Sequence, residues 1–424
     1  MMQALLRNAF HLADTAMPLD EITARDATTE VAPESLGLDP KAVERIWDEL
    51  VALYRTGTQP AIQVCLRYKG EIVMNRAIGC ARGGGPDDQG REPRIPVRTD
   101  TPFCLFSASK AITAMLVHKL AEQGKINLLD PVAFYLPEFA KRGKGNITIH
   151  QILSHRGGIP GLPTKGVSLD TLYDPEEVWR LLCDAEPIAV DGAKLAYHAI
   201  TGGFVLGRLV EKVTGMTMRE YIHQTLVEPM GMTYMNFGLP EDQISHSARN
   251  YATGPDTPFP LSWIVRRALG ADMRTAAEVS NDPRWFGAVI PAANIYATAE
   301  ETSRFYQMML NEGRWGRRQV FRPMTIRRAV HEFGTCTLDR TMMIPMRYSA
   351  GFMLGMDPVG LWGAYSGRAY GHIGLINKFS WADPDRQLAA CVLTSGLCLV
   401  SHHVPHLVRL IGSISSAFPS RRVS

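Results

Sequence analysis

The chain of 424 residues has almost no net charge and no long hydrophobic run. Its 45 Lys and Arg residues nearly balance its 42 Asp and Glu residues, so the charge indicates no nucleic-acid partner. No apolar stretch approaches the length of a membrane span. The first residues lack the pattern of a signal peptide, because Arg7, His11 and Asp14 interrupt the apolar run. These absences predict a cytoplasmic protein without a membrane span.

Cysteine is scarce and scattered. No pair has Cys-x-x-Cys spacing, which excludes the common zinc and redox motifs and predicts buried thiols in a reducing compartment. The triplet Gly83-Gly84-Gly85 lacks the Gly-Lys-Ser/Thr of a phosphate loop, so residues 79–100 are predicted as a mobile loop. We expect no cofactor and no metal. The seven cysteines are Cys65, Cys80, Cys104, Cys183, Cys336, Cys391 and Cys398.

The order of helical and strand-like patterns indicates the architecture. Helical spacing is present over residues 40–56, 175–184, 201–214, 217–228, 299–312, 323–333 and 403–418. Strand-like runs cover residues 62–67 and 72–78, which predict a hairpin, and 348–355, 376–382 and 388–395. Strands at both ends with helices between them predict an α+β fold whose sheet is built from both termini. We assign residues 1–130 and 290–424 to an α/β lobe and 131–289 to an inserted helical lobe, with the active site in the cleft between them.

The most informative local feature is Ser107 followed three residues later by Lys110. Residues at i and i+3 share a helix face, so the Lys110 amine can reach the Ser107 hydroxyl. The partial positive charge of a helix N-terminus and the apolar neighbours both favour the neutral, proton-accepting form of the lysine. This arrangement is typical of serine nucleophiles that work without a Ser-His-Asp triad.

The alternative interpretation of this pair gives it no catalytic role: the serine caps the helix, and the lysine one turn later is solvated. The rest of the helix argues against it, because almost no polar face remains before Gly124. A lysine at the start of a buried helix indicates a functional role for its amine. The apolar positions are Ala111, Ile112, Ala114, Met115, Leu116, Val117, Leu120 and Ala121.

Two further motifs complete a recognisable set. Tyr197-His198-Ala199 precedes a helix, and Tyr370-Gly371-His372-Ile373-Gly374-Leu375 precedes strand-like sequence. With Ser107 and Lys110, in this order, they resemble the serine β-lactamase and penicillin-binding-protein superfamily, most closely the class C-like family VIII carboxylesterases. The resemblance spans about residues 40 to 400. The Gly-x-Ser-x-Gly elbow of α/β-hydrolase esterases is absent.

The resemblance implies a class C β-lactamase-like fold and a set of roles. Ser107 would be the nucleophile, and Lys110 and Tyr197 would share the proton transfer. The backbone N–H groups of Ser107 and Leu375 would form the oxyanion hole. The substrate would contact the remaining motif residues, and nearby aromatic residues would either line an acyl pocket or only pack. These candidates are His372, Ile373, Gly374, Ala199, Tyr365 and Tyr370.

Three departures from the β-lactamase pattern bear on the substrate. Ala199 stands where β-lactamases place an asparagine amide, and Ile373 removes a hydroxyl group. His372 replaces a permanent cation with a group that is mostly neutral at pH 7. An anionic β-lactam would therefore lose a charged partner and two hydrogen bonds, each worth on the order of 1 kcal/mol or more. An uncharged ester would lose nothing.

The leading hypothesis is hydrolysis of a small-molecule ester through an acyl-enzyme. An acyltransferase, an amidase or peptidase, and a weak β-lactamase remain as alternatives, because the sequence does not distinguish water from another acceptor. A different class is a catalytically silent scaffold or filament-forming relative, against which the intact Ser107, Lys110 and Tyr197 speak. A homo-oligomer is left open.

Overall fold

The computed structural model describes residues 10–88, 92–162 and 168–420. The first nine residues, on which part of the signal-peptide argument rests, lie outside the described residues. None of the helices in the described ranges combines the length and apolar character needed to cross a membrane.

The centre of the molecule is an antiparallel sheet to which both ends of the chain contribute. Its strand order is β1-β3-β2-β8-β7-β6-β5, with β4 paired to β3. Neighbouring strands are antiparallel throughout. The strands are β1 (Thr23–Arg25), β2 (Ala61–Tyr68), β3 (Glu71–Arg82), β4 (Ile95–Pro96), β5 (Met353–Leu354), β6 (Tyr370–Gly374), β7 (Lys378–Asp383) and β8 (Leu388–Thr394).

Helices cover both faces of this sheet. The longer ones are α1 (Pro40–Arg55), α2 (Ser109–Glu122), α3 (Pro175–Asp184), α4 (Thr201–Thr214), α5 (Leu261–Leu269), α6 (Met273–Asn281), α7 (Ala299–Leu310), α8 (Pro323–Val330) and α9 (Val404–Ala417). On one face α1 and α9 pack together, with Ile46, Leu50, Leu410 and Ile414 fully buried. On the other face α7 packs against β2, β7 and β8. Each face is therefore sealed by apolar side chains.

Short elements connect these parts. Short α-helical turns cover Leu19–Ile22, Val132–Tyr135, Ile149–Leu153, Met218–Ile222, Glu228–Met230, Glu241–Ile244 and Pro283–Gly287. The 3₁₀ turns are Pro33–Leu36, Phe106–Ala108, Pro137–Gly143 and Leu169–Tyr173, and His223–Val227 is a π-helical turn. Small sheets pair Phe103–Cys104 and Asn236–Phe237 with Ile295–Ala297, and Gly396–Leu397 with Tyr251–Ala252. Three further hairpins join Arg314–Trp315 with Arg318–Gln319, Thr337–Leu338 with Pro345–Met346, and Val359–Gly360 with Gly363–Ala364.

The fold class and the sheet built from both termini are confirmed, and most of the predicted helices have nearly the expected bounds. Three local predictions are wrong. The expected loop over residues 79–100 begins with the end of β3, because β4 pairs with it, and the strand expected over 348–355 shrinks to β5. The third concerns Cys336, which is exposed, unlike the other six free cysteines. Helices α5 and α6 lie within residues 131–289, the region predicted to be helical, but outside the individual segments with helical spacing. The division into lobes at residues 130 and 290 stays a prediction.

Candidate active site

Ser107 lies on a strained turn at the start of α2. The preceding residue, Phe106, has a φ of 48°, a left-handed conformation that costs a side-chain-bearing residue about 1–3 kcal/mol. Two hydrogen bonds to the backbone of Ile295 hold this turn. Ile295 O accepts from Leu105 N–H at 2.8 Å, and Ile295 N–H donates to Ser109 Oγ at 3.1 Å. The serine hydroxyl is thus presented at a fixed position, partly exposed to the cavities described below.

Lys110 contacts Ser107 directly. Its Nζ donates to Ser107 Oγ at 3.0 Å and to the backbone carbonyl of Ala292 at 3.1 Å. Burial holds the pKa of Lys110 well below its usual value. The amine is therefore favoured in its neutral form, in which its lone pair can take a proton from the serine.

The carbonyl that holds Lys110 belongs to a rigid turn over residues 290–294. The Asn294 side chain accepts from Ile290 N–H at 2.8 Å and donates to two further carbonyls. Helix α4 approaches this turn at Gly203, where a Cβ would lie 2.6 Å from Ala292. A larger residue at 203 would push the turn, and with it the lysine, away.

Tyr197 lies above this pair. Its ring centroid is 4.8 Å from Lys110 Nζ, and its hydroxyl group is close enough to the Ser107 side chain for that side chain to lower the pKa of the phenol. Burial raises the pKa of Tyr197 above that of a free tyrosine, and the Asp339 carboxylate acts in the same direction. The phenol therefore stays protonated at neutral pH and is placed to pass a proton.

Two buried histidines flank the tyrosine in fixed tautomers. His198 N–H donates to His155 Nδ1 at 3.1 Å, and Ile159 N–H donates to His198 Nε2 at 3.2 Å. Both nitrogens are therefore acceptors, which leaves the other ring proton on each residue. The His155 ring lies 4.6 Å from the Tyr197 ring. Burial lowers the pKa of His198 to about 3 and that of His155 well below its usual value. His155 is therefore a neutral support for the tyrosine ring, and the neutral His198 ring packs against His155.

The third motif forms strand β6 and the residue after it. His372 is buried, and its Nδ1 donates to Ile373 O at 2.8 Å, while its Nε2 has no partner among the described residues. Burial and, to a smaller extent, Lys110 lower the pKa of His372 to about 3. Gly374 approaches the Ser107 turn so closely that a Cβ would lie 2.0 Å from Leu105 O. This contact keeps Leu375 next to the serine.

Two apolar cavities open at Ser107 and share Leu375 and Leu269. The larger has a volume of about 290 Å³ and the smaller about 90 Å³. Neither contains a charged side chain among the residues that line it. The larger is lined by Tyr197, Leu261, Ile264, Val265, Ala268, Met273, Met342, Ile344, Met346, Met353, Leu361, Ile373, Ile376 and Leu399, the smaller by Phe106, Leu169, Leu172, Ala199, Ile200, Ala271, Ala276, Val279, Trp285, Ile290 and Ala293.

The structure brings most of the predicted site residues together, but not the two aromatic candidates. Ile373 lines the larger cavity and Ala199 the smaller one. Tyr365 is 52% exposed, and Tyr370 is buried against Phe352, with ring centroids 5.6 Å apart. Neither tyrosine is among the described residues that line the two cavities. Within the described residues, no group of three or more His, Cys, Asp or Glu side chains is arranged to hold a metal.

Comparison with known proteins identifies the family. The chain matches the family described as Beta-lactamase over residues 43–403. The chain belongs to the beta-lactamase family. The chain is 29% identical over 339 residues to "Esterase/beta-lactamase LipL" of Mycobacterium tuberculosis, and the match covers 74% of this chain and 76% of the relative.

Solved structures agree with this membership. The crystal structure of a family VIII carboxylesterase matches this chain with a TM-score of 0.74 and 26% identity, over 87% of this chain and 96% of the carboxylesterase. A class C beta-lactamase matches with a TM-score of 0.65 and 16% identity, over 90% and 97% of the two chains. The fold is therefore that of the class C-like β-lactamases.

Asp339 is a polar residue of this site that the sequence motifs do not identify. The Asp339 carboxylate is fully buried, and its Oδ1 accepts from the N–H groups of Tyr197 (3.1 Å), Thr341 (2.8 Å) and Met342 (3.0 Å). Its Oδ2 accepts from the Tyr348 hydroxyl at 3.3 Å. The link joins segments 142 residues apart. No local motif marks Asp339, so only the folded chain reveals that it holds the tyrosine segment.

Proposed function

We propose that this protein is a serine hydrolase that cleaves carboxylic esters through an acyl-enzyme on Ser107. The observation that carries the proposal is the 3.0 Å contact between Lys110 Nζ and Ser107 Oγ beside the hydroxyl of buried Tyr197. A nucleophile within hydrogen-bond reach of a neutral base, with a second proton-transfer group beside it, is the requirement for acyl transfer. The names of the relatives, an esterase/beta-lactamase and a family VIII carboxylesterase, support the same reaction class.

In the proposed mechanism, Ser107 Oγ attacks the ester carbonyl while Lys110 and Tyr197 take up its proton. Tyr197 then donates a proton to the departing alcohol. The N–H groups of Ser107 and Leu375 stabilise the negative charge on the carbonyl oxygen. Water attacks the acyl-enzyme in the second half, and the proton returns to Ser107. Because the lysine and tyrosine share one proton path, they titrate as a pair.

The cavity chemistry favours an uncharged substrate. No lysine, arginine or protonated histidine lines either cavity, and the pKa of about 3 keeps His372 neutral. The carboxylate of a β-lactam would therefore enter an apolar site without a charged partner, which is costly. An ester carries no such charge.

An ester panel set against a chromogenic cephalosporin tests this proposal. We expect kcat/KM for short-chain p-nitrophenyl esters to exceed that for the cephalosporin by about a hundredfold or more, the scale of two or three lost polar contacts. Each ester is assayed with and without a competing alcohol, and the acylated protein is followed by mass spectrometry, which separates hydrolysis from acyl transfer. A cephalosporin rate equal to the ester rate would contradict the ester assignment. The double variant His372→Lys/Ile373→Thr should raise turnover of the anionic substrate.

The pH profile separates the lysine–tyrosine pair from a histidine base. The active form has lost a proton from Lys110, so activity should rise with pH and then level off, since Tyr197 keeps its proton well into the alkaline range. His372, with its pKa of about 3, is already neutral above about pH 5 and cannot produce this limb. We expect His372→Gln to change KM and substrate preference but to leave the midpoint of the limb in kcat/KM within about 0.3 pH units. Loss of the limb in this variant would assign the base to His372 instead.

A further inference from the structure

We infer that the larger cavity holds the alcohol part of the substrate and the smaller cavity holds the acyl part, so that the preferred substrates are short-acid esters of bulky, uncharged, apolar alcohols. This inference rests on the proposed function, because it takes Ser107 as the nucleophile. Beyond that function, it states which part of the ester, the acyl group or the alcohol, binds in each cavity.

The first step of the argument is the divergence of the two cavities. A carbonyl carbon bonded to Ser107 Oγ carries its acyl chain and its alkoxy group in different directions. Both cavities begin at Ser107 and Leu375, and the side chain of Leu269 lines both of them. The ester bond is thus placed where the cavities meet, with one substituent in each.

The second step assigns the substituents. The leaving alkoxy oxygen must receive a proton from a group within hydrogen-bond reach. Tyr197 lines the larger cavity, whereas Ala199 and Ile200, which follow it in the chain, line the smaller one. An alkoxy group that departs into the larger cavity therefore leaves beside the phenol. In the opposite orientation the leaving oxygen would face the alkyl groups of Ala199 and Ile200, which have no proton to give.

The third step concerns size and shape. The smaller cavity, about 90 Å³, has less than a third of the volume of the larger one and therefore suits the shorter part of the ester, an acetyl to butyryl group. The larger cavity, about 290 Å³, is lined by four methionines, whose flexible thioethers fit varied apolar shapes. These are Met273, Met342, Met346 and Met353.

Helix α5 makes the larger cavity adaptable. It contributes five aliphatic side chains to the wall, yet only Val265 in this helix is buried. A wall with little packing behind it can shift to fit a bulky alcohol at low cost. The wall residues are Leu261, Ile264, Val265, Ala268 and Leu269.

The reaction balances without a co-reactant other than water. In acylation the bond between Ser107 Oγ and the acyl carbon forms, the bond from that carbon to the alkoxy oxygen breaks, and the serine proton reaches the alcohol through Tyr197. In deacylation water oxygen bonds to the acyl carbon, the Ser107 ester bond breaks, and one water proton returns to Ser107. The short acyl group, bound to Ser107, stays in the smaller cavity between the two steps.

A pair of isomeric esters tests the assignment. Octyl acetate and ethyl octanoate have the same composition. The alcohol part is the long one in octyl acetate, and the acyl part is the long one in ethyl octanoate. We expect kcat/KM for octyl acetate to be at least about tenfold higher, the scale of a few methylenes placed in or excluded from a pocket. Equal values, or a preference for ethyl octanoate, would overturn the inference. So would cleavage of ethyl acetate with no cleavage of octyl acetate. If no ester is cleaved and no acetyl adduct forms on Ser107, the proposed function itself fails.

Two cavity-filling variants give an independent readout. Ala268→Phe narrows the larger cavity and should lower the ratio of kcat/KM for octyl acetate to that for ethyl acetate by about tenfold. Ala276→Phe narrows the smaller cavity and should lower the ratio for ethyl butyrate to ethyl acetate instead. Ala140→Phe, at an exposed position outside both cavities, controls for the added ring. Exchanged effects of the two cavity variants would reverse the assignment. Circular dichroism confirms that each variant is folded, and Ala268→Val or Ala276→Val replaces one that is not.

Discussion

Ser107→Ala should abolish hydrolysis of short-chain p-nitrophenyl esters and the formation of an acyl adduct. The substitution removes the oxygen atom that forms the covalent bond in the proposed mechanism, while the strained turn and the hydrogen bonds of Leu105 and Ser109 to Ile295 remain. We expect a loss of about 10⁴-fold or more in kcat, the scale seen when a covalent nucleophile is deleted. The change in thermal stability should be small, because the serine side chain is partly exposed.

The matched control for this variant is Ser416→Ala. Ser416 is exposed near the end of α9, and its hydroxyl donates only to Ser413 O at 3.1 Å among the described contacts. The control should keep full activity and full labelling by a fluorophosphonate probe, whereas Ser107→Ala should not be labelled. Retention of more than a few per cent of activity by a clean Ser107→Ala preparation would show that another residue is the nucleophile.

Lys110→Met and Tyr197→Phe should each lower kcat by about a hundredfold or more, the usual effect of losing a proton-transfer group. Methionine keeps the apolar stem of Lys110 but cannot accept the proton of Ser107, and phenylalanine keeps the Tyr197 ring above it. Because both groups serve one proton path in the proposed mechanism, the double variant should lose much less activity than the product of the single losses. Stopped-flow measurement of the acylation step gives these values directly.

Lys119→Met and Tyr306→Phe are the corresponding controls. Lys119 lies on the same helix but pairs with Glu122, and the Tyr306 hydroxyl contacts Ser380 rather than Ser107. Both controls should keep kcat within about threefold of the parent protein, since neither side chain reaches the proton path. Losses that multiply in the Lys110→Met/Tyr197→Phe double variant would show that the two groups act independently, which would contradict the shared path.

The parts of this protein that are readable from the sequence are those set by local geometry. The spacing of Ser107 and Lys110 predicts their contact, since residues three apart on a helix are neighbours whatever surrounds them. The hairpin of β2 and β3 follows from two β-prone runs joined at Lys69-Gly70, which have φ angles of 53° and 95°. The apolar face of α1 and the sheet with strands from both termini follow from periodicity in the same way.

The tertiary structure supplies the features that depend on long-range packing. The Asp339 carboxylate reaches Tyr197 across 142 residues, and His155 supports the same ring from another segment. Helix α5, which lies outside the segments with helical spacing, provides one wall of the larger cavity. The apolar positions of a sequence show which side chains are buried, but a cavity is the space that packing leaves unfilled. Its volume depends on the relative placement of several elements, and no single segment of sequence specifies that placement.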